Sequence, residues 1–252
     1  MDQDLWRSLQ QLSLDSDQEP LRLQPETINR TEKNNRLSLV VRGLNPRHQI
    51  PKHMKNTLPV AWRMERRVQG QVNDDGSVQF FFNEEHHMLT VLEGGPWTFK
   101  EWMLVVDKWV NRGQPTYLRK VSFWIRVYNL PNEYRNVQTV RDIGNSLGTA
   151  GEIIIREPNG EIPAEIKVRV MMDIDAKLIF TRYVELLEGE EPTLIKFEYE
   201  RLRKFCRRCG SMRHENTECQ EIIVLPMLPI VEFQEHVDVQ QQQNDHHSQW
   251  QS

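Results

Sequence analysis

The spacing of three cysteines and one histidine constrains the fold of this chain more than any other feature. Cys206, Cys209, His214 and Cys219 follow the pattern C-x2-C-x4-H-x4-C and include all 3 cysteines of the sequence. Three thiolates and one imidazole in so short a segment match the tetrahedral ligand set of a structural Zn²⁺. Because the protein supplies all four ligands, we expect one closed, structural zinc ion and no catalytic one.

Two other interpretations of these cysteines stay open, namely free reduced thiols in chance register and a disulfide framework. The odd number of cysteines in a chain of 252 residues counts against disulfides. Gly210, directly after the second cysteine, favours a metal-binding loop that turns there through a positive φ. Thiolate ligands need a reducing compartment, so we expect the nucleus or the cytoplasm.

The composition is typical of a globular protein, at 38% hydrophobic and 27% charged residues. No apolar run approaches the ~20 residues that span a bilayer, and the N-terminus is acidic and polar, unlike a signal peptide. The sequence also contains no Ser-His-Asp set and no phosphate-cradling glycine loop. We therefore expect no membrane partner, no small-molecule substrate and no enzymatic activity.

The net charge of −4 hides two basic segments. Residues 30–70, the first basic segment, carry a net charge of +8, and residues 201–219, the second basic segment, carry +4. Such clustering is the electrostatic footprint of a nucleic-acid-binding surface, although a solvated charged surface is the alternative. The candidate phosphate contacts are Arg36, Arg42, Arg47, Lys52, Lys55, Arg66 and Arg67 in the first segment, and Arg203, Lys204, Arg207, Arg208 and Arg213 in the second.

Phe205, directly before the first cysteine, is the candidate for base stacking. A base stacked on an aromatic ring contributes about 1–3 kcal/mol and tolerates any sequence. Packing of the ring against the preceding strand or the metal-binding loop explains it equally well. Both interpretations stay open.

Residues 36–110 have the element order β-α-β-β-α-β, the split plan of ferredoxin-like and RNA-recognition folds. The first helix is predicted to end at Pro59. Alternation places Phe80 and Phe82 in the core and Phe81 with Gln79 on the opposite sheet face. A single ring is a poor stacking platform, so either binding is dominated by the nucleic-acid backbone or this face packs on the second half of the chain.

Residues 120–200 are predicted to form a second α+β segment, with one helix over 137–147 and five strands. The full fold prediction is an α+β chain in which residues 201–220 form the metal-binding loop. Residues 1–35 are predicted to be a flexible acidic leader, and residues 221–252 a disordered Gln-rich tail. Four tryptophans are interpreted as core residues, namely Trp97, Trp102, Trp109 and Trp124.

Local motifs give the chain a resemblance to a known family over about residues 30–220. The motifs are Gly94-Gly95-Pro96-Trp97, Val106 to Trp109, Phe123 to Val127 running into Leu130-Pro131, Ile143 to Gly148, and Glu198 to Leu202 entering Lys204-Phe205-Cys206. The chain resembles plant proteins that pair the domain of unknown function 4283 with a CCHC zinc knuckle, which look like gag-type proteins of retroelements. The resemblance implies zinc binding and nucleic-acid binding without catalysis.

Two positions depart from the usual knuckle. Arg213 stands where a glycine usually precedes the histidine, and Arg207 stands where an aromatic residue often follows the first cysteine. The second change replaces a base-stacking ring by a phosphate-binding guanidinium. We expect zinc binding to tolerate both changes and sequence-specific base reading to weaken.

Two functional hypotheses follow from these observations. The first is a non-enzymatic, zinc-dependent protein of retrotransposon descent that binds single-stranded RNA or DNA. The second is a protein-interaction adaptor that uses the knuckle and the sheet, with acidic segments that repel nucleic acid. Self-association is left open. Salt dependence separates the two, because phosphate contacts weaken steeply with ionic strength.

Overall fold

The computed structural model describes residues 4, 7, 9, 21–110, 115–159 and 164–220. The described sheets and the cysteine-rich segment belong to one compact unit. About half of the predicted leader and all of the predicted Gln-rich tail lie outside the described residues. Two antiparallel sheets and a few helices confirm the predicted α+β class. Within the described part of the chain, no helix has the length and apolar character that a membrane crossing needs.

The first half of the chain forms a five-stranded sheet in the spatial order β2-β3-β1-β5-β4. The predicted order β-α-β-β-α-β is present, and the structure adds the short edge strand β4 and a helix before β1. That helix, α1, occupies the end of the predicted flexible leader. The elements are α1 (Pro25–Asn35), β1 (Ser38–Gly43), α2 (Pro51–Ala61), β2 (Val68–Val72), β3 (Val78–Phe82), α3 (Glu85–Glu93), β4 (Thr98–Phe99) and β5 (Trp102–Lys108).

Helix α2 corrects the prediction that Pro59 ends it. Pro59 lies inside the helix, which continues to Ala61 and closes with a bond from the Trp62 N–H to the Leu58 carbonyl. Pro59 lacks the N–H that would reach back one turn, so the helix loses one hydrogen bond there. Buried Met54 and Leu58 hold the same helix against the sheet, and this packing outweighs the missing bond.

Alternation along β3 is as predicted for the rings. Phe80 and Phe82 are buried between the sheet and helices α2 and α3, and Phe81 is half-buried on the other face. Gln79 points to the same face as Phe81 but is also buried. Its side-chain amide donates to the Asn35 side chain of α1 and to the Ser38 hydroxyl, at 2.8 Å each. Helix α1 therefore caps one corner of this face.

The second half of the chain repeats the strand order of the first, as β7-β8-β6-β10-β9. In both sheets the first strand of the set lies at the centre. Only one helix accompanies this sheet, because the described segment between β8 and β10 holds β9 where the first half has α3 and β4. The elements are β6 (Lys120–Tyr128), α4 (Val137–Asn145), β7 (Thr149–Arg156), β8 (Glu165–Asp173), β9 (Thr181–Val184) and β10 (Thr193–Tyr199).

The two sheets share one hydrophobic core. Val40 of β1 and Met103 and Val105 of β5, on the face away from α2 and α3, pack in the same cluster as Phe123 and Ile125 of β6. The remaining face of the first sheet thus covers part of the second sheet, where a second helix is missing. Of the two alternatives for the first sheet, packing on the second half of the chain is the one observed.

Candidate metal centre and nucleic-acid interface

The structure brings the predicted zinc ligands into one cluster. One ligand atom from each of Cys206, Cys209, His214 and Cys219 lies within 4.8 Å of the others. The Cys209 Sγ lies 3.4 Å from the His214 Nε2, so the imidazole nitrogen that faces the sulfurs is Nε2. Three sulfurs and one nitrogen at these separations are a donor set that suits tetrahedral Zn²⁺. The cluster fits one structural zinc ion with no position left for a substrate.

Backbone geometry around the cluster explains the glycine. Gly210 has a φ of +79°, as the sequence predicted. A Cβ built there would lie 2.7 Å from the carbonyl oxygen of Leu178, which is closer than real Cβ contacts. The Leu178 N–H in turn donates to the Gly210 carbonyl at 2.9 Å. Any side chain at this position would therefore be strained and would push the loop away from the second sheet.

Burial and hydrogen bonds together shift the pKa values of two ligand cysteines in opposite directions. Burial raises the pKa of Cys206, but N–H groups of Cys209 and Arg208 outweigh burial, so the pKa of this thiol falls below its ordinary value. Burial raises the pKa of Cys209 to about 11, although the Ser211 N–H also donates to its sulfur. These backbone donors orient the sulfurs, which is the usual role of groups around a metal's ligands.

The segment that carries the ligands, residues 204–220, is docked on both sheets; we refer to it as the knuckle. Met212 is fully buried in the shared core, and Cys206 is buried as well. The His48 imidazole lies 3.0 Å from the Glu215 carboxylate, and Arg47 pairs with Glu218. These contacts tie the knuckle to the rest of the chain.

Ion pairs neutralise part of both basic segments. Arg213 pairs with Asp175, Lys204 with Glu101 at 3.1 Å, and Arg42 with Asp75 at 2.7 Å. The structure gives the remaining candidate cations no ion pair among the residues it describes, and all of them are exposed. They are Arg203, Arg207 and Arg208 in the second segment and Arg36, Lys52, Lys55, Arg66 and Arg67 in the first. These eight are the cations that phosphates can reach without breaking an internal pair.

A shallow groove of about 410 Å³ lies beside the metal cluster. Two rings line it, Phe205 and Phe180, whose centroids lie 5.0 Å apart. Arg207 and Arg208 stand at its border, and the backbone of Gly210 forms part of its wall. Phe205 is half-buried and packs on the shared core, so both of its predicted roles are compatible with its position. Phe180, which the sequence analysis missed, is 36% exposed.

A second cluster of potential ligands lies at the start of α3. Glu84, His86 and His87 bring one ligand atom each within 4.8 Å of one another, and the two imidazole centroids are 3.8 Å apart. Glu84 and His86 are exposed, whereas His87 is buried. This cluster has no thiolate and only three ligands, so it suits a structural zinc less well than the knuckle does.

The geometry thus defines an α+β protein with two like-ordered sheets and a docked Cys3His cluster, and comparisons with known proteins agree. Residues 31–116 match the family model described as Domain of unknown function (DUF4283). Residues 172–221 match the family model described as Zinc knuckle. The chain therefore carries a domain of unknown function 4283 followed by a CCHC-type zinc knuckle, which confirms this part of the resemblance.

One curated relative is the Uncharacterized protein At4g02000 of Arabidopsis thaliana, 27% identical over 132 residues. The match covers 52% of this chain and 42% of that protein, so the chain spans about two fifths of the relative's length.

Two solved structures also align with the chain. A Sxl-lethal protein/RNA complex matches at 12% identity and a TM-score of 0.26, covering 65% of this chain and 98% of that one. The N-terminal three RNA binding domains of the yeast splicing factor Prp24 match at 13% identity and a TM-score of 0.23, covering 66% of each chain. The fold assignment rests on the strand order of the two sheets.

Proposed function

We propose that this protein binds single-stranded nucleic acid through its zinc knuckle and has no catalytic role. The observation that carries the proposal is the groove in which Phe205 and Phe180 lie beside Arg207 and Arg208, two cations without an ion pair to any described residue. Rings offer stacking to any base, and guanidinium groups meet the neighbouring phosphates. Zinc holds the loop that brings these groups together, so binding should depend on the metal.

Descent from a retrotransposon gag-like protein of a plant is part of the same proposal. The combination of a domain of unknown function 4283 with a zinc knuckle, and the Arabidopsis relative, support it. A reducing compartment, nucleus or cytoplasm, fits three cysteines that act as thiolate ligands.

The test is binding of fluorescent RNA, single-stranded DNA and duplex DNA across a salt series, with zinc present and after chelation. For Arg207→Ala combined with Arg208→Ala, we expect weaker binding of all sequences and a salt slope that flattens by up to about two units. Phe205→Ala should cost about 1–3 kcal/mol with little change in slope. Arg213→Ala is the matched control, since Asp175 already neutralises that cation.

A protein-interaction adaptor is the second candidate. It is favoured by the number of cations near the knuckle that pair internally, such as Arg213, Lys204 and Arg47. If the zinc-loaded protein binds no RNA or single-stranded DNA at low salt, the adaptor replaces nucleic-acid binding as the proposed function.

A further inference from the structure

The second sheet has a face that lies opposite the shared core. Along β6, Val121, Phe123, Ile125 and Val127 point into the shared core, and the alternate residues point outward. Helix α4 packs on the core side of the sheet through Val140 and Ile143. We call the opposite side the outer face; its β6 residues are Ser122, Trp124, Arg126 and Tyr128. The sequence analysis assigned Trp124 to the core, and the structure places it on this outer face instead.

Aromatic rings, cations and carboxylates share the outer face. Trp124 lies half-buried at the centre of the outer face, and the Lys167 ammonium lies 5.3 Å from the centroid of the Trp124 ring. Tyr128, on the same strand, is 43% exposed, and Tyr183 on β9 is 71% exposed. The register aligns Tyr128 with Lys196 and Lys196 with Thr181, so both tyrosines belong to the same side of the sheet. A sheet face with several rings is the platform on which RNA-recognition folds stack bases.

At the other end of β6 the outer face opens into a cleft between the two halves of the compact unit. The cleft has a volume of about 630 Å³, and Ser122, Arg169 and Met171 of the outer face form part of its wall. Trp97 and Tyr117 also line it. A cavity of this size with mixed apolar and polar walls is suited to a nucleotide-sized group.

Several cations lie along this path, beside Asp107 in the cleft and Glu198 next to Tyr128. Lys108 and Lys120 line the cleft, Arg169 stands where the cleft meets the outer face, and Lys196 lies near Tyr128. None of these four cations forms an ion pair with any residue that the structure describes. In contrast, Arg126 and Lys167 share the carboxylates of Glu165 and Glu200 and hold the centre of the face in place. From Lys120 to Tyr128 the path is about 26 Å long at the usual rise of a strand, which gives room for several nucleotides.

We propose that a single strand of nucleic acid crosses the outer face of the second sheet, with bases on Trp124 and Tyr128 and its backbone along Arg169 and Lys120 into the cleft. This proposal rests on the proposed function, because it names a further part of the nucleic-acid interface. It also assigns base stacking to the second sheet, whereas the sequence predicted the element order of an RNA-recognition fold for the first sheet. The sheet that belongs to the domain of unknown function 4283 has its second face covered, and the sheet that follows it provides the platform.

The test uses the full-length, zinc-loaded protein and fluorescent oligouridines of about 15 and about 5 nucleotides, which span the site sizes of single binding domains. For Trp124→Leu combined with Tyr128→Leu, affinity for the long oligouridine should fall about 10- to 100-fold with an unchanged salt slope. For Arg169→Gln combined with Lys120→Gln, the slope should flatten by up to about two units. Arg141→Gln is the control, since Arg141 belongs to α4 on the opposite side of the same sheet. We expect it to change neither quantity.

The outcomes separate this proposal from the proposed function. If the knuckle variant Arg207→Ala with Arg208→Ala weakens binding and both outer-face variants bind as the wild type does, the knuckle function stands and the outer-face proposal is overturned. If the wild type binds neither oligouridine, both fail. Should the Trp124 and Tyr128 variant melt at a lower temperature than the wild type, crosslinking to the wild-type protein decides, because it alters no side chain.

Photocrosslinking supplies a second readout that does not depend on variants. A long oligouridine that carries 4-thiouridine should crosslink to peptides that contain residues 117–128 and 167–171, in addition to the knuckle. Crosslinks confined to residues 203–213 would overturn the proposal.

Discussion

The two sheets of this protein have the same strand order and opposite surroundings. In the first sheet the face away from the helices carries Val40, Met103 and Val105 and is buried. In the second sheet the corresponding face carries Trp124, Arg126 and Tyr128 and is open to solvent in part. The difference shows that strand order does not determine which sheet keeps a face open to solvent. Side-chain character on the second face does, because an apolar face is covered during folding and a polar one is left accessible.

Among the predicted changes, zinc removal should have the largest effect on stability, and it should affect the two sheets to different extents. A structural zinc contributes roughly 10–16 kcal/mol in isolated zinc-finger peptides. Since Met212 of the knuckle is fully buried in the shared core, we expect chelation or Cys209→Ser to lower the melting temperature of the whole compact unit. Hydrogen exchange should rise more in β9 and β10 than in β2 and β3.

The matched control for zinc removal is His86→Ala, a change at an exposed residue of the second cluster, which should leave zinc content at one ion per chain and the melting temperature close to the wild type's. Equal exchange in β2 and β10 after chelation would contradict the contrast between the sheets. A protein purified without zinc would contradict the metal site itself.

Two methionines allow a direct comparison of the two second faces. Met103 is fully buried on the first sheet, and Met171 is 44% exposed on the second. Met103→Asp buries an unpaired carboxylate, so we expect a loss of about 3–5 kcal/mol in the free energy of unfolding. Met171→Asp should change it by no more than about 1 kcal/mol, as is typical of surface positions. Urea unfolding measures both, and similar losses for the two would mean that the outer face is covered after all.

Cations of the first basic segment test whether the half of the chain with the first sheet also contacts nucleic acid. Lys52 and Lys55 are exposed on α2, which packs on the first sheet. If a bound strand continues from the knuckle to this segment, Lys52→Gln with Lys55→Gln should flatten the salt slope by up to about two units. Arg42→Gln is the control, because Asp75 neutralises Arg42. A wild-type slope in the double variant would confine the interface to the second sheet and the knuckle.

The smallest effect concerns the ion pair that joins the knuckle to the loop after β8. Hydrogen bonds from the Arg213 guanidinium hold the pKa of Asp175 below its ordinary value, and Arg119 contributes as well. A carboxyl with a depressed pKa stabilises the folded state above its unfolded pKa, and this stabilisation is lost as the pH falls through the folded value. Because the pair is solvent-exposed, Asp175→Asn should cost at most about 1 kcal/mol at neutral pH and less at pH 2, since the cost shrinks as the pH falls through the folded pKa. Urea unfolding at both pH values tests this, and an equal cost at both would contradict it.

Local features of this chain were predictable from sequence, and the relations between its halves were not. The ligand spacing predicted the cluster of Cys206 and its partners, and Gly210 predicted a positive φ. Alternation predicted that Phe80 and Phe82 share a buried face. In each case the physical cause lies within a few residues of the signal.

The features that the sequence did not predict all depend on contacts between segments that are distant along the chain. Alternation shows that Trp124 and Phe123 face opposite sides of a strand, but it does not show which side another element covers. Phe180 reaches the groove because the loop after β8 packs on Gly210, about thirty residues further along the chain. Pro59 is tolerated because tertiary packing of Met54 and Leu58 compensates for a lost backbone bond.

The shared core also determines the smallest segment of this chain that can fold when it is expressed by itself. The family match ends at residue 116, within a few residues of the chain's crossing from one sheet to the other. A fragment that stopped there would present Val40, Met103 and Val105 to water as a contiguous apolar patch. Such a patch leads to aggregation or to capture of another chain. The segment that the family match covers is therefore smaller than the segment that buries this core, and we expect a fragment cut at that boundary to be less soluble than the whole chain.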